Sequence, residues 1–184
     1  MGKIVNRFAH IAVIAAVFLF APLSHAKVIY QAFNESFQRV ASKVDELASL
    51  GYTHIQISPP QKSIDQEIWW ARYQPIDFQV IQGPLGNEDD LKHLIWKASQ
   101  AGLGILVDVV LNHMADPVFH RQDLQYPEFS WRDFHHVDSR PCITNFRDRY
   151  QVTEFWLCDP ERPNRRLPDL NTSSEYVRSV HAKY

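Results

Sequence analysis

An acidic residue, an amide and an imidazole lie close together along an apolar segment of the chain. Asp108 is flanked by hydrophobic residues within 105–112, and Asn112 and His113 follow it. A buried carboxylate without a partner is strongly unfavourable, so Asp108 requires a compensating group. In a strand, Asp108 and Asn112 would share one face and His113 would begin the next loop. The spacing alone is compatible with reactive groups and with a structural hydrogen-bond network.

Alternating strands and helices are predicted to position these residues. Apolar, β-branched runs predict three strands, at 28–33, 53–58 and 105–112. Hydrophobic residues at helical spacing predict a helix over 37–48, which Gly51 ends. A second helix begins after the cap residue Asn87 and ends at Gly102. The predicted order is therefore β-α-β-α-β.

This order predicts a parallel α/β sheet. The third strand is apolar on both faces, which is typical of a strand covered by helices. Two architectures remain open, an open doubly wound sheet and a (β/α)8 barrel. The first strand-to-helix turn, QAFNESF, has no glycine to approach a pyrophosphate, which counts against dinucleotide binding.

The second half of the chain is less regular. Periodicity disappears from 114 to about 166, and a segment of this length predicts an inserted subdomain or a functional excursion. Helical spacing returns at 172–184, where Thr172 and Glu175 are predicted to form a capping box.

The N-terminus and the overall charge restrict the class of protein. Residues 1–26 combine two basic residues, an apolar stretch and a small-residue cleavage site, which predicts an export signal. A membrane anchor is the alternative, but the apolar stretch is shorter than the roughly 20 residues that span a bilayer. The formal charge of −2 and the absence of a basic run argue against nucleic-acid binding. We therefore expect a secreted or periplasmic protein with no stable membrane span after signal cleavage.

Export makes a disulfide possible. Cys142 and Cys158 are the only cysteines, and both follow the signal. An oxidising compartment would allow them to pair, whereas two buried free thiols are the alternative.

Four motifs resemble the α-amylase family, glycoside hydrolase family thirteen. They are GYTHIQISPP at 51–60, WWARYQP at 69–75, DVVLNH at 108–113 and LPDLN at 167–171. The resemblance implies an α/β fold, a partial (β/α)8 TIM barrel made of its first three βα units. Residues 27–113 would form βαβαβ, 114–171 a calcium-binding excursion (domain B) after strand three, and 172–184 the start of the third barrel helix.

The resemblance also implies a calcium site and a role for Asp108. The side chains that match calcium ligands are those of Asn112 and Asp169, and the carbonyl of Thr153 resembles a further ligand. Oxygen donors of this kind suit Ca²⁺. Asp108 matches a carboxylate that supports catalysis by pairing with an arginine on strand four, which would explain how it can be buried.

Five residues match sugar-binding positions of the family: Trp69, Trp70, Tyr73, Gln74 and His113. Aromatic rings can cover the apolar face of a pyranose while polar groups bind its hydroxyls. Without the resemblance, hydrophobic packing would be the preferred interpretation of WWARY. The histidines of the irregular segment, His120, His135 and His136, are also considered as zinc ligands. Their spacing fits no common zinc pattern.

The resemblance implies a retaining hydrolase of α-1,4-glucans such as starch, glycogen and maltooligosaccharides. The family's nucleophile, acid and third carboxylate fall on strands beyond the matched segments, so none is expected within residues 1–184. We therefore expect the 184 residues alone to be an inactive N-terminal part of a catalytic domain. The alternatives are a non-catalytic amylase-like protein that binds sugar or a partner, and a non-functional truncated product.

Overall fold

The computed structural model describes residues 26–117 and 126–184, so the expected export signal lies outside the described residues apart from Ala26. In chain order the strands are β1 (Ile29–Ala32), β2 (His54–Ile57), β3 (Lys62–Ser63), β4 (Pro75–Asp77), β5 (Gln82–Gly83), β6 (Gly86–Asn87), β7 (Gly104–Val107), β8 (Leu157–Cys158) and β9 (Arg166–Leu167). The helices are α1 (Phe37–Ser49), α2 (Glu88–Gln100), α3 (Arg149–Glu154) and α4 (Glu175–His181), with 3-10 turns at Trp69–Tyr73 and Trp131–Asp133.

A parallel sheet of three strands, in the order β1-β2-β7, organises the first half of the described chain. Ile55 of β2 lies opposite Ile105 of β7, and both point toward the helices. The predicted β-α-β-α-β order is therefore confirmed.

The two long helices form where their caps and apolar stripes predict them. The Ser36 side chain accepts a hydrogen bond from the backbone of Arg39 at the start of α1. Asn87 and Asp90 form a reciprocal capping box at the start of α2. Gly51, with φ +85°, follows α1 in the left-handed conformation that favours glycine. The buried stripes of α1 and α2 pack on the sheet as one hydrophobic core. Within the described ranges, no helix is long and apolar enough to cross a membrane.

Strand β7 differs from the prediction. It ends at Val107, so Asp108 follows the strand, and it pairs only with β2. Leu106, Val107 and Val109 are 38%, 44% and 48% exposed. The prediction of a strand over 105–112 covered on both faces is therefore wrong for the described residues, because β7 lies at an open edge of the sheet.

A second core joins the segment after β2 to the rest of the chain. Phe78 packs with Phe129 and His181, and Met114 and Leu170 are fully buried in the same cluster. Helix α4 contributes its apolar face to this core. The helix begins at Glu175 with Ser174 as its N-cap and without a capping hydrogen bond, so the predicted Thr172–Glu175 capping box is wrong. Asn171 bonds to the backbone and hydroxyl of Ser173 instead, and this turn delays the helix.

The excursion carries a short hairpin that is fixed at its base. β8 and β9 are antiparallel, with Leu157 opposite Leu167 and Cys158 opposite Arg166. Cys142 and Cys158 form a disulfide with an S–S distance of 2.10 Å and a Cα–Cα distance of 5.6 Å. The hairpin is therefore tied covalently to the segment that precedes α3.

Candidate functional site

A cavity of about 470 Å³ lies between the segment that follows β2, the segment that follows β7 and the β8–β9 hairpin. All five residues that were predicted to bind sugar line this cavity. The lining residues are Trp69, Trp70, Tyr73, Gln74, His113, Asp116, Leu157, Cys158, Asp159, Arg162, Arg165 and Leu167. Its size falls within the range of small-molecule sites.

Aromatic rings form one side of the site. Trp69 is 51% exposed, and its ring centroid lies 5.7 Å from that of Phe33 and 6.2 Å from that of Tyr73. Arg72 fixes the 3-10 turn that carries Trp69 and Tyr73. Its buried guanidinium donates to the carbonyls of Ile64 and Gln66 at 3.0 and 2.6 Å. The rings are therefore held on a fixed backbone.

Tyr73 supplies the partner that Asp108 requires. Its hydroxyl donates to Oδ2 of Asp108 at 2.9 Å, and both residues are partly buried. Burial, followed by the hydrogen bond and the charge of Asp108, raises the pKa of Tyr73 to about 12. The hydroxyl therefore remains a donor at any physiological pH. Within the described residues, the carboxylate of Asp108 therefore accepts from a tyrosine 35 residues earlier. The arginine that the resemblance implies is expected on strand four and stays a prediction.

His113 and Gln74 join the two segments that flank the cavity. Nε2 of His113 lies 2.9 Å from the carbonyl of Tyr73, so this nitrogen carries the proton that the carbonyl accepts. Burial lowers the pKa of His113, which keeps the ring neutral. The side-chain oxygen of Gln74 accepts from the backbone N–H of Asp116 at 3.1 Å.

The β8–β9 hairpin forms the opposite wall, which the sequence motifs did not predict. Leu157 and Leu167 are cross-strand neighbours that both face the cavity, and the connecting loop adds Arg162. Arg162 donates to Asp159 at 2.9 Å. Burial would raise the pKa of Asp159, but backbone N–H groups of 161 and 162 and the Arg162 side chain lower it below its usual value. Alternation of apolar and polar residues along β8 and β9 could have predicted this wall, but each strand is only two residues long, which is too short for the pattern to be recognised.

Two of the predicted calcium ligands are brought together although 57 residues separate them. Leu170 N donates to the carbonyl of Asn112 at 2.8 Å, which aligns the two segments. The Asn112 amide then donates to Oδ1 of Asp169 at 2.9 Å, and His135 Nδ1 lies 2.7 Å from Oδ2. Asp169 is 2% exposed, and burial raises its pKa to about 6 against the opposing effects of His135 and Asn112.

The donor chemistry at Asp169 fits a hard cation. A buried carboxylate whose ionised form is disfavoured would be stabilised by a positive ion, and rotation of the Asn112 amide would present its oxygen. Thr153 lies in the last turn of α3, where helix geometry leaves carbonyls without a helical partner. The next residue, Glu154, lies 3.6 Å from His135.

The histidines considered above for a zinc site, His120, His135 and His136, do not form a metal cluster in the described residues. His135 and His136 both approach Glu154, at 3.6 and 3.9 Å, and His120 lies outside the described residues. Within residues 26–117 and 126–184, no three side chains of the His, Cys, Asp and Glu types are placed to hold a metal ion. A calcium site would therefore depend on amide and carbonyl oxygens in addition to Asp169.

Together, the fold and the site define an α/β protein with an aromatic cavity beside the carboxyl ends of parallel strands. The family model described as the α-amylase catalytic domain matches residues 35–183. The chain belongs to the α-amylase catalytic-domain family, which confirms the resemblance seen in the sequence motifs.

Named relatives support this assignment. An α-amylase from Aeromonas hydrophila is 36% identical over 191 residues, covering 89% of this chain and 40% of that protein. An α-amylase from Streptomyces violaceus is 34% identical, covering 83% of this chain and 26% of that protein. A mutant of α-amylase I from Eisenia fetida in complex with maltohexaose has a TM-score of 0.71 at 26% identity, over 85% of this chain and 34% of that one. The chain therefore spans less than half the length of these relatives.

Proposed function

We propose that the chain is the N-terminal part of an α-amylase-type glycoside hydrolase that acts on α-1,4-glucans. The observation that supports this is the cavity of about 470 Å³, because it collects Trp69, Trp70, Tyr73, Gln74 and His113 on one surface. Rigid rings beside fixed polar groups suit a ligand with apolar faces and equatorial hydroxyls. The maltohexaose bound to the Eisenia relative is a ligand of this chemistry.

Aromatic and polar side chains of the cavity would make different contacts with a bound glucan. Trp69 and Tyr73 offer ring surface for a glucose unit, and the bond from Tyr73 to Asp108 fixes the orientation of its ring. Gln74 and the neutral His113 provide polar contacts on the same side. A glucan bound against them would meet the β8–β9 hairpin on the other side.

We further propose that the 184 residues bind glucan without cleaving it. A retaining mechanism needs a nucleophilic carboxylate and a protonated acid about 5 to 5.5 Å apart. The acidic residues that line the described cavity are Asp116 and Asp159. The lowered pKa of Asp159 makes it a poor general acid, and Asp108 already accepts from Tyr73. The nucleophile and the acid would belong to the part of the domain that the longer relatives have.

The proposed architecture is a partial (β/α)8 barrel. In this proposal residues 27–113 provide the first βαβαβ part, 114–171 form the calcium-binding domain B, and 172–184 begin the third barrel helix. The three parallel strands and the open edge at β7 support this arrangement.

Calcium is proposed to bind at Asn112, Asp169 and the carbonyl of Thr153. The ion would hold the excursion against the segment after β7 and compensate the buried charge of Asp169. This role is structural. An exported location, secreted or periplasmic, would supply both the calcium and the oxidising conditions that the Cys142–Cys158 disulfide needs.

A non-catalytic, sugar-binding amylase-like protein is the second candidate. The absence of a suitable pair of carboxylates in the described cavity favours it for these residues taken alone. The two candidates agree on glucan binding and differ on hydrolysis, so one experiment can separate them.

The test measures maltohexaose binding and the release of reducing sugar from soluble starch. It uses the 184-residue protein and a version extended by the barrel portion of the Aeromonas relative. Trp69→Ala should weaken binding by roughly tenfold, since a stacked aromatic ring is lost. Trp96→Ala is the matched control, because Trp96 is as exposed but lies on α2, outside the cavity.

Hydrolysis by the extended protein alone would support the enzyme. Glucan binding without hydrolysis in both forms would favour the second candidate. Equal binding by the Trp69→Ala and wild-type proteins would contradict both proposals.

A further inference from the structure

A second, separate pocket lies behind the β8–β9 hairpin. It has a volume of about 290 Å³, and we call it the back pocket; it is lined by Pro117, Arg140, Trp156, Asn164 and Arg166. It shares no lining residue with the cavity described above. The hairpin separates the two, because Leu157 and Leu167 face the cavity while Arg166 faces the back pocket.

Two guanidinium groups converge on the back pocket. Among the described residues, no acidic side chain lines it. Within the described ranges, neither Arg140 nor Arg166 lies within ion-pair distance of an Asp or Glu side chain. This contrasts with Arg162 in the adjoining loop, whose guanidinium pairs with Asp159 at 2.9 Å.

The two arginines are held in position by contacts that leave donors available. Nε of Arg140 donates to the carbonyl of Val137 at 2.8 Å, and its guanidinium lies over the rings of Trp131 and Trp156. Arg166 donates from Nη1 to the carbonyl of Arg140 at 2.7 Å. Among the described residues, no acceptor contacts either Nη atom of Arg140 or Nη2 of Arg166. Fixed guanidinium groups with unused N–H donors are suited to bidentate binding of an oxyanion.

The same residues argue against a second sugar site. Trp156 is 1% exposed, and its indole N–H already donates to the carbonyl of His135 at 2.6 Å. One face of Trp131 is covered by Arg140. The described lining of the back pocket therefore offers charge and N–H donors but no open aromatic face for a pyranose.

We propose that the back pocket binds a phosphate group, either as free phosphate or as the phosphate of a small organic molecule. A phosphate monoester carries close to two negative charges at pH 7, which matches the two guanidinium groups. Asn164 adds an amide donor to the lining. The ligand would join Arg140, on the segment before the disulfide, to Arg166 on β9, and so would brace the outer side of the cavity wall.

The proposal is tested by calorimetric titration of the full chain with inorganic phosphate and, separately, with glycerol 3-phosphate, which carries no sugar ring for the aromatic cavity, at constant ionic strength. Saturable binding of one equivalent is expected. Stronger binding of glycerol 3-phosphate identifies an organic phosphate as the preferred ligand, and equal or weaker binding identifies free phosphate. Absence of saturable binding by either probe would overturn the proposal.

Two variants locate the site. Arg166→Gln removes one guanidinium and should weaken phosphate binding at least about tenfold, as expected for the loss of a charge-assisted bidentate contact. Arg140→Lys keeps the charge but loses the planar fork, and should weaken binding to a smaller extent. Arg147→Gln is the control, because it removes the same charge from an exposed position of the excursion outside the pocket. Equal losses in Arg147→Gln and Arg166→Gln would show non-specific attraction and would contradict the proposal.

A measurement on the wild-type protein covers the case in which a variant fails to fold. The indole N–H resonance of Trp156 reports on the back pocket, since its ring lines the pocket and contacts Arg140. Phosphate should shift this resonance in a saturable way, and chloride at the same ionic strength should not. An equal response to both anions would overturn the proposal.

Discussion

Replacing Tyr73 by Phe separates two roles that the structure gives to one side chain. The hydroxyl of Tyr73 holds Asp108 at 2.9 Å, whereas its ring lines the cavity beside Trp69. Tyr73→Phe removes the first role and keeps the second. Tyr73→Leu removes both.

The expected magnitude follows from the hydrogen bond. A bond to a charged acceptor contributes about 1.5 to 3 kcal/mol, and the partial exposure of Asp108 favours the lower end. We therefore expect Tyr73→Phe to lower the free energy of unfolding by about 1.5 kcal/mol. In a chain of this size this corresponds to a decrease of roughly 3 to 6 °C in Tm. Because the pKa of Tyr73 is about 12, the loss should be the same at pH 6 and pH 8.

Thermal unfolding and maltohexaose titration measure the two effects. Tyr73→Phe should change glucan affinity by less than about twofold, while Tyr73→Leu should weaken it roughly tenfold because stacking is lost. Tyr150→Phe, at an exposed position of the excursion, is the control for removing a hydroxyl. Wild-type stability of Tyr73→Phe would refute the role of the hydroxyl. Equal losses of affinity in the Phe and Leu variants would refute the role of the ring.

Three further predictions concern the rest of the chain. Calcium should raise Tm relative to chelator in the wild type but not in Asp169→Asn, as followed by thermal unfolding. Replacing Cys142 and Cys158 together by Ser should cost about 3 kcal/mol in urea unfolding, as expected for a loop of this length. Burial and the charge of Asp77 raise the pKa of Glu128, so its stabilising contribution is complete below pH 4.5 and is lost as the pH rises through the folded-state pKa. Glu128→Gln should therefore raise Tm more at pH 8 than at pH 4.

Two of these predictions have a matched control variant, and each has an outcome that would contradict it. Asp138→Asn, at an exposed position, should keep the calcium response, and a response that survives in Asp169→Asn would exclude that carboxylate as a ligand. Unchanged urea unfolding of the double Ser variant would show that the disulfide does not stabilise the fold. Glu161→Gln should leave the pH dependence as in the wild type, and the same pH dependence in Glu128→Gln would contradict the raised pKa.

Local signals predicted the two long helices well, missed the short helix α3 and predicted the third strand poorly. The apolar stripe and caps of α1 and α2 are encoded within a few residues of each helix, so their positions were predictable. The length of β7 depends on which strands pair with it, and only β2 does in the described residues. The hydrophobicity of residues 105–112 could not reveal that side chains of β7 and of the residues after it are exposed. The prediction of a Thr172–Glu175 capping box was wrong because a turn at Asn171 competes for the same backbone groups.

The site was predicted in part, through motifs rather than through geometry. The aromatic turn at 69–73 and His113 belong to recognisable motifs, so their grouping was anticipated. The partner of Asp108 was not, because nothing local links it to a hydroxyl 35 residues away. The back pocket likewise depends on contacts between Arg140 and Arg166, which no short pattern records.

The construction of the cavity wall has a consequence for protein engineering. The base of the β8–β9 hairpin is closed by the disulfide at Cys158 and by the bond from Arg166 to the carbonyl of Arg140. The intervening residues 159–165 supply Asp159, Arg162 and Arg165 to the cavity, and the backbone N–H of Asp159 donates to the carbonyl of Arg165 at 3.0 Å where this loop begins. Libraries that vary the sequence or length of this loop should therefore change which ligands the cavity can bind, while the anchors at its base stay in place.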